Sequence, residues 1–125
     1  MVPSRPLPPM SERCKTVLVV DDDQAIREVI SEVLVDEGYQ VVCAENGAEA
    51  LRELRKQDGP DLMLLDLMMP VMSGWEVLEQ LQSNPDLPHI PIVVVSAMTA
   101  PGVTEHMPKP INLDRLLATV ERLTG

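Results

Sequence analysis

The sequence predicts an α/β domain with a doubly wound parallel sheet, and three observations carry that prediction. Short apolar, β-branched runs alternate along the chain with apolar stripes at helical spacing, the pattern of βαβ units with right-handed crossovers. Two runs, Leu62 to Leu65 and Ile90 to Val95, are apolar on both alternating rows, as strands covered on both faces must be. Polar residues cluster where the runs stop, at the carboxyl ends of strands, which is where open α/β sheets place their ligands.

Each element has its own signal. Thr16 to Val20 is a β-branched strand leading into Asp21-Asp22-Asp23. The helix after it shows Ile26, Val29, Ile30, Val33 and Leu34 at i, i+3, i+4, i+7 and i+8, and Gly38 is placed to stop it. Gln40 to Ala44 is the second strand. Asn46 then caps a helix whose stripe is Gly47, Ala50, Leu51 and Leu54, broken by Gly59-Pro60. Leu62 to Leu65 is the third strand and delivers Asp66 to its end. Pro70 blocks regular structure, and Ser73-Gly74-Trp75-Glu76 has the Ser-x-x-Glu form of a capping box. The helix it opens carries Val77, Leu78 and Leu81 before Asn84-Pro85. Ile90 to Val95 is the fourth strand, ending at Ser96, and Val103 to Met107 reads as the fifth. Asn112 caps the last helix, with Leu113, Leu116, Leu117, Val120 and Leu123.

Composition limits what such a domain can do. At 125 residues it is one domain with room for a real core. With 45% apolar but only 2% aromatic residues, that core is aliphatic. A net charge of −10 gives no electrostatic footprint for nucleic acid or anionic lipid, so direct binding to either is not expected. No apolar stretch reads as a signal peptide or a membrane span, which makes a cytoplasmic location the default. Cys14 and Cys43 suggest neither a disulfide framework nor a metal site, and Cys43, alternating with Val41 and Tyr39, reads as a small buried hydrophobe. Residues 1–13, with Pro3, Pro6, Pro8 and Pro9 and no periodicity, read as a disordered tail without an assigned function.

The chemistry lies at one sheet edge. Asp66 alone could be a surface carboxylate ending a strand, but Asp21 and Asp22 follow the first strand, Ser96 the fourth and Lys109 the fifth. In a parallel sheet these ends share an edge. Three crowded carboxylates repel one another unless a cation is present, and oxygen ligands with room for water suit Mg²⁺. A hydroxyl and an ammonium beside them suit a phosphoryl group. Asp23 reads mainly as a helix cap.

On Val17-Leu18-Val19-Val20-Asp21-Asp22-Asp23, Leu64-Leu65-Asp66-Leu67-Met68-Met69-Pro70 with Gly74, Val94-Val95-Ser96-Ala97 and Lys109-Pro110, the chain resembles the receiver (phosphoacceptor) domain of two-component response regulators. The resemblance covers about Lys15 to Leu123. It implies a flavodoxin-like five-stranded sheet of order 2-1-3-4-5, with residues 1–14 a Pro-rich tail and 15–125 the receiver domain. It implies that Asp66 is the phosphorylated aspartate and that Mg²⁺ is held by Asp22, Asp66 and the backbone carbonyl of Met68, with Asp21 acting partly through water. Ser96 would bind a phosphoryl oxygen and Lys109 would pair with the phosphoryl group. His106 matches the family's aromatic switch position, although a lone His also reads as structural, and Lys109–Pro110 is a candidate cis bond. The partners implied are a histidine kinase or phosphotransfer protein and a downstream protein, with no separate substrate turnover.

One departure stands out. Only twelve residues, Ala97 to Pro108, separate Ser96 from Lys109, where receiver domains place their fourth helix and fifth strand. With the fifth strand at Val103, six residues remain for the crossover, which reach roughly 20 Å extended but rise only about 9 Å as a helix. Pro101-Gly102 opposes a helix there. The expectation is an absent fourth helix and an uncovered apolar face on the fourth and fifth strands, with Met98 and Met107 contributing. A second copy of the chain, a partner or a rearranged Thr99 to Gly102 loop would cover it, homodimerisation being the first choice. Two other functions compete with a phosphorylated receiver. One is an interaction module of the same fold that works without phosphorylation. The other is an aspartyl-phosphate phosphatase, whose second Asp is replaced here by Met68.

Overall fold

The computed structural model describes residues 15–125. The readings of residues 1–14 as a tail, and of Cys14 as part of no disulfide framework or metal site, lie outside them. Five strands, β1 (Thr16–Val20), β2 (Gln40–Ala44), β3 (Leu62–Leu65), β4 (Ile92–Val95) and β5 (Glu105–Met107), form one parallel sheet of order β2-β1-β3-β4-β5. Its helices are α1 (Gln24–Asp36), α2 (Gly47–Leu54), α3 (Gly74–Ser83) and α4 (Leu113–Thr124). The register pairs Val20 with Ala44 and Leu65, Leu65 with Val94, and Val95 with Met107, so the strands end within one residue of one another. That alignment sets the residues after each strand along one edge.

Alternation along the strands splits the core in two. Val17, Val19, Leu62, Leu64, Val93, Val95 and Met107 pack with Ile30, Leu34, Leu116 and Val120 under α1 and α4. Leu18, Val20, Met63, Leu65 and Val94 face α2 and α3, against Ala50, Leu51, Leu54, Val77 and Leu78. Burying each such Val or Leu is worth roughly 1.5–3 kcal/mol, so the central strands are the most heavily held parts of the chain.

The helix ends follow their sequence signals. Asp23 caps α1 through the amides of Ala25 and Ile26, Asn46 caps α2 and Asn112 caps α4. Ser73 and Glu76 close the full capping box on α3. Gly38 ends α1 at φ +96°, a conformation open to glycine and strained for most other residues.

Three expectations change. Four helices are present among the described residues, so an absent fourth helix does not hold as stated: α4 is the fourth in chain order and follows β5. The β4–β5 connection, residues 96–104, consists of bends and turns, with Gly102 at φ +76°. Nor is the apolar face bare. Leu87 and Ala100 are buried in the α2–α3 side of the core with Val94, and Ile90 and Val103 pack against it, while Met107 is buried on the opposite side. The homodimer expected through an uncovered β4–β5 face thereby loses its premise. Finally, Cys43 is exposed, 3.3 Å from the Ser31 hydroxyl, because β2 is an edge strand that α1 covers incompletely.

Candidate functional site

Asp21, Asp66 and Ser96 are the first residues past β1, β3 and β4, whose ends lie within one residue of one another. Each is enclosed by the neighbouring strands and loops, with exposures of 2%, 5% and 2%. Main-chain bonds fix the ends: Asp21 N donates to Ala44 O at 3.1 Å, Asp66 N to Val20 O at 2.9 Å and Ser96 N to Met107 O at 3.1 Å. Asp22, by contrast, is exposed. Carboxylate oxygens of Asp21, Asp22 and Asp66 lie within 4.8 Å of one another.

Lys109 reaches this cluster from the loop after β5, through a cis Lys109–Pro110 bond. Its ammonium is 2.9 Å from Asp21 Oδ2 and 3.5 Å from Asp66 Oδ2. The other Asp21 oxygen accepts from Asp23 N at 2.9 Å, and Asp66 Oδ1 accepts from Met68 N at 3.3 Å. Burial pushes the Asp21 carboxyl up, against the Asp23 amide and Lys109, which favour the anion, and the Asp66 charge adds to the rise. For Lys109 burial favours the neutral amine, but the bond to Asp21 and the two negative charges outweigh it and raise the pKa. The ammonium is thus held charged.

Ser96 Oγ accepts from Met98 N at 3.2 Å, which leaves the hydroxyl hydrogen available as a donor. His106 does not lie in the acidic cluster. It sits in β5 with Nε2 3.0 Å from the Ser96 carbonyl, so it meets the site through the main chain of Ser96. Met68 is 62% exposed beside Asp66. Gly74 allows the closest approach in the site: its amide donates to Leu67 O at 2.9 Å, and a Cβ there would strike the Asp66 carbonyl oxygen and come within 2.7 Å of Leu67 Cα.

The donor set fits a small hard cation. All three side chains offer only oxygen, one is solvent-facing, and Asp21 carries an electrostatic penalty that a divalent ion would relieve. Sequence reasoning missed Arg27. Its guanidinium on α1 donates to the Asp21 carbonyl oxygen at 2.6 Å, a contact that no spacing or motif announces.

An acidic triad and a lysine on the carboxyl edge of a 2-1-3-4-5 parallel sheet are the arrangement of a receiver-type signalling module. The chain belongs to the response regulator receiver domain family, whose model matches residues 17–121. It is 40% identical over 116 residues to the response regulator MprA of Mycobacterium leprae (strain TN), covering 86% of this chain and 50% of that protein. The same figures hold for MprA of Mycobacterium avium (strain 104). The chain therefore spans about half the length of the curated relatives it matches. Among solved structures it resembles the chemotaxis response regulator CheY4 of Vibrio cholerae, with a TM-score of 0.78, 34% identity, and 88% of this chain and 98% of that one covered. It also resembles the receiver domain of a signal transduction histidine kinase from Syntrophus aciditrophicus, with a TM-score of 0.80, 30% identity, and coverages of 89% and 90%. No helix among the described residues is long and apolar enough to cross a membrane.

Proposed function

We propose that this receiver domain accepts a phosphoryl group on Asp66 from a phosphohistidine of a histidine kinase or phosphotransfer protein, in a Mg²⁺-dependent reaction, in the cytoplasm. The observation that carries the reading is the meeting of Asp66 with Asp21, Asp22 and Lys109 at one edge of the sheet. An oxygen of Asp66 attacks phosphorus in line. The new P–O bond forms as the P–N bond to the donor imidazole breaks, and the imidazole keeps the electron pair. Lys109 exchanges part of its contact with Asp21 and Asp66 for the phosphoryl oxygens, and Ser96 donates its free hydroxyl hydrogen to one of them. Asp21, Asp22, Asp66 and the Met68 carbonyl would hold Mg²⁺, which supplies positive charge against the transferring oxygens when bound. His106 is placed to relay a change at Ser96 to β5.

An apolar groove of about 600 Å³ favours a protein donor over a small one. It is lined by Ile26, Val29, Ile30, Pro110, Ile111 and Leu113 and runs up to Lys109, so an apolar helix seated there would bring its own side chains to the acidic edge. The acyl phosphate is the signal, read by a downstream protein as a changed surface. The domain turns over no separate substrate, and the reading needs no second copy of the chain.

Acetyl phosphate with Mg²⁺ tests this, followed by intact mass and a phosphate-sensitive gel. One phosphoryl group is expected on the wild type, and none on Asp66→Asn or in EDTA. Undiminished labelling of Asp66→Ala would remove the assignment. A wild type that stays unlabelled with every donor would favour a module working without phosphorylation.

A further inference from the structure

We infer that Arg27 is a positioning residue for the cation site, fixing the main chain from which Asp21 and Asp22 project. This rests on the Mg²⁺ reading above. Between β1 and α1 only Asp21, Asp22 and Asp23 intervene. Three sets of bonds close this loop. Asp23 caps α1, the Asp21 carboxylate accepts from Asp23 N at 2.9 Å, and Arg27 NH1 donates to Asp21 O at 2.6 Å. The first two use carboxylates and stay within the loop and the first turn of the helix. Only the third ties the loop's own peptide to a side chain one turn into α1.

Arg27 is not otherwise engaged by charge. Glu28 and Glu32 line the same depression beside α1, yet neither forms an ion pair with it, and the only side-chain bond of Arg27 among the described residues goes to Asp21 O. An arginine that bypasses nearby glutamates for a carbonyl is held by geometry. The carbonyl belongs to the peptide joining Asp21 to Asp22, so its orientation sets the direction in which both carboxylates leave the chain. Groups that orient metal ligands in this way typically change metal affinity 10- to 100-fold when removed.

Two accounts of Arg27 predict opposite signs, which makes the inference testable. If Arg27 acted only as a nearby positive charge, removing it would strengthen cation binding. If it positions the loop, removing it weakens binding. Isothermal titration with Mg²⁺ alone, on wild type, Arg27→Met, Arg27→Lys and Asp22→Asn, separates them. Arg27→Met is expected to bind Mg²⁺ on the order of tenfold more weakly, at the lower end of that range. Arg27→Lys, which keeps a donor at similar reach, should recover most of the loss. With acetyl phosphate, the Mg²⁺ concentration for half-maximal labelling of Arg27→Met should rise by the same factor, while the rate at saturating Mg²⁺ stays within about twofold of wild type. Melting in EDTA checks that Arg27→Met is folded, and if it is not, Arg27→Gln, too short to reach the Asp21 carbonyl, takes its place with the same expected half-saturation shift. Equal or tighter Mg²⁺ binding by folded Arg27→Met overturns the inference, as does a Lys variant no better than Met. If wild type and Asp22→Asn bind Mg²⁺ equally or not at all, the cation site itself is wrong and Arg27 falls with it.

Discussion

Replacing Lys109 by Met should destabilise the metal-free domain at neutral pH by about 3 kcal/mol, the lower end of what breaking a buried pair costs. The ammonium lies 2.9 Å from Asp21 and 3.5 Å from Asp66. At an effective dielectric near 20, charges at those separations attract by roughly 6 and 5 kcal/mol before desolvation is subtracted. Most of that is offset by the cost of burying the charges, but removing the lysine leaves the desolvated carboxylates facing each other. Loss of about 3 kcal/mol is a large share of the 5–15 kcal/mol typical of a domain. Urea unfolding in EDTA at pH 7.5 measures it. The deficit should shrink with added Mg²⁺, which takes over the compensating charge, and shrink again in acid as Asp21 takes up a proton. A deficit under about 0.5 kcal/mol at pH 7.5 in EDTA, in the range of ordinary surface changes, would refute the argument that Lys109 neutralises the pocket.

Further outcomes follow from the same geometry. The Asp21 carboxyl is raised by burial, so its contribution to stability is full below its unfolded value of 3.8 and is lost as the pH rises through the higher folded value. Asp21→Asn in EDTA should therefore be more stable than wild type at pH 7, with the gap closing toward pH 3.8, as thermal melts across pH would show. Met68 and Met98 are exposed beside the expected phosphoryl position and neither can hydrogen-bond an attacking water as an amide or carboxylate would, so spontaneous hydrolysis should be slow and Met68→Asn or Met68→Glu faster. Variants no faster than wild type in a loss-of-phosphate time course would disprove this. Gly74→Ala should lose about 1–3 kcal/mol in urea unfolding and label poorly, because its Cβ meets the main chain of Asp66 and Leu67, neither of which can move without displacing the acceptor.

What the sequence made legible is what repeats or has a fixed local grammar. The stripe Gly47, Ala50, Leu51, Leu54 is buried in full, since four positions at helical spacing leave one face to bury. The Ser73–Glu76 box and the Asn46 and Asn112 caps are local bonds, and the residues of the acidic pocket follow from strand ends in a parallel sheet. Long-range arrangement was harder to read. Alternation placed Cys43 inside, but β2 lies at the sheet edge, where a row can face solvent. β4 starts at Ile92 instead of Ile90, because Pro91 has no amide to give the ladder, and β5 is shortened to Glu105–Met107. The burial of Ala100 and the reach of Arg27 to Asp21 depend on how loops fold back, which no period encodes. Val71 is a further case: it holds φ +68° at 84% exposure, a conformation that its β-branched side chain gives no reason to expect.

The connection from β4 to β5 bears on how far news of phosphorylation can travel. A helix following Ser96 would act as a lever, carrying a small displacement at one end to a face many ångströms off. Here the nine residues 96–104 return directly to the sheet, and the far end is stitched down twice: Thr104 N donates to Ile92 O at 2.9 Å, and Ile92 N donates to Thr104 Oγ1 at 2.9 Å. A shift of Ser96 is thus absorbed within the span between two anchors. Apart from the route through His106 to β5, a reader of the proposed phosphorylated state would have to touch the acceptor edge itself, in competition with the donor. Amide chemical shifts on phosphorylation should change from Ser96 to Met98 and around Asp66 and Lys109, while Thr104 and Ile92 stay still. Shifts at that far anchor as large as those at Ser96 would show that the short bridge transmits after all.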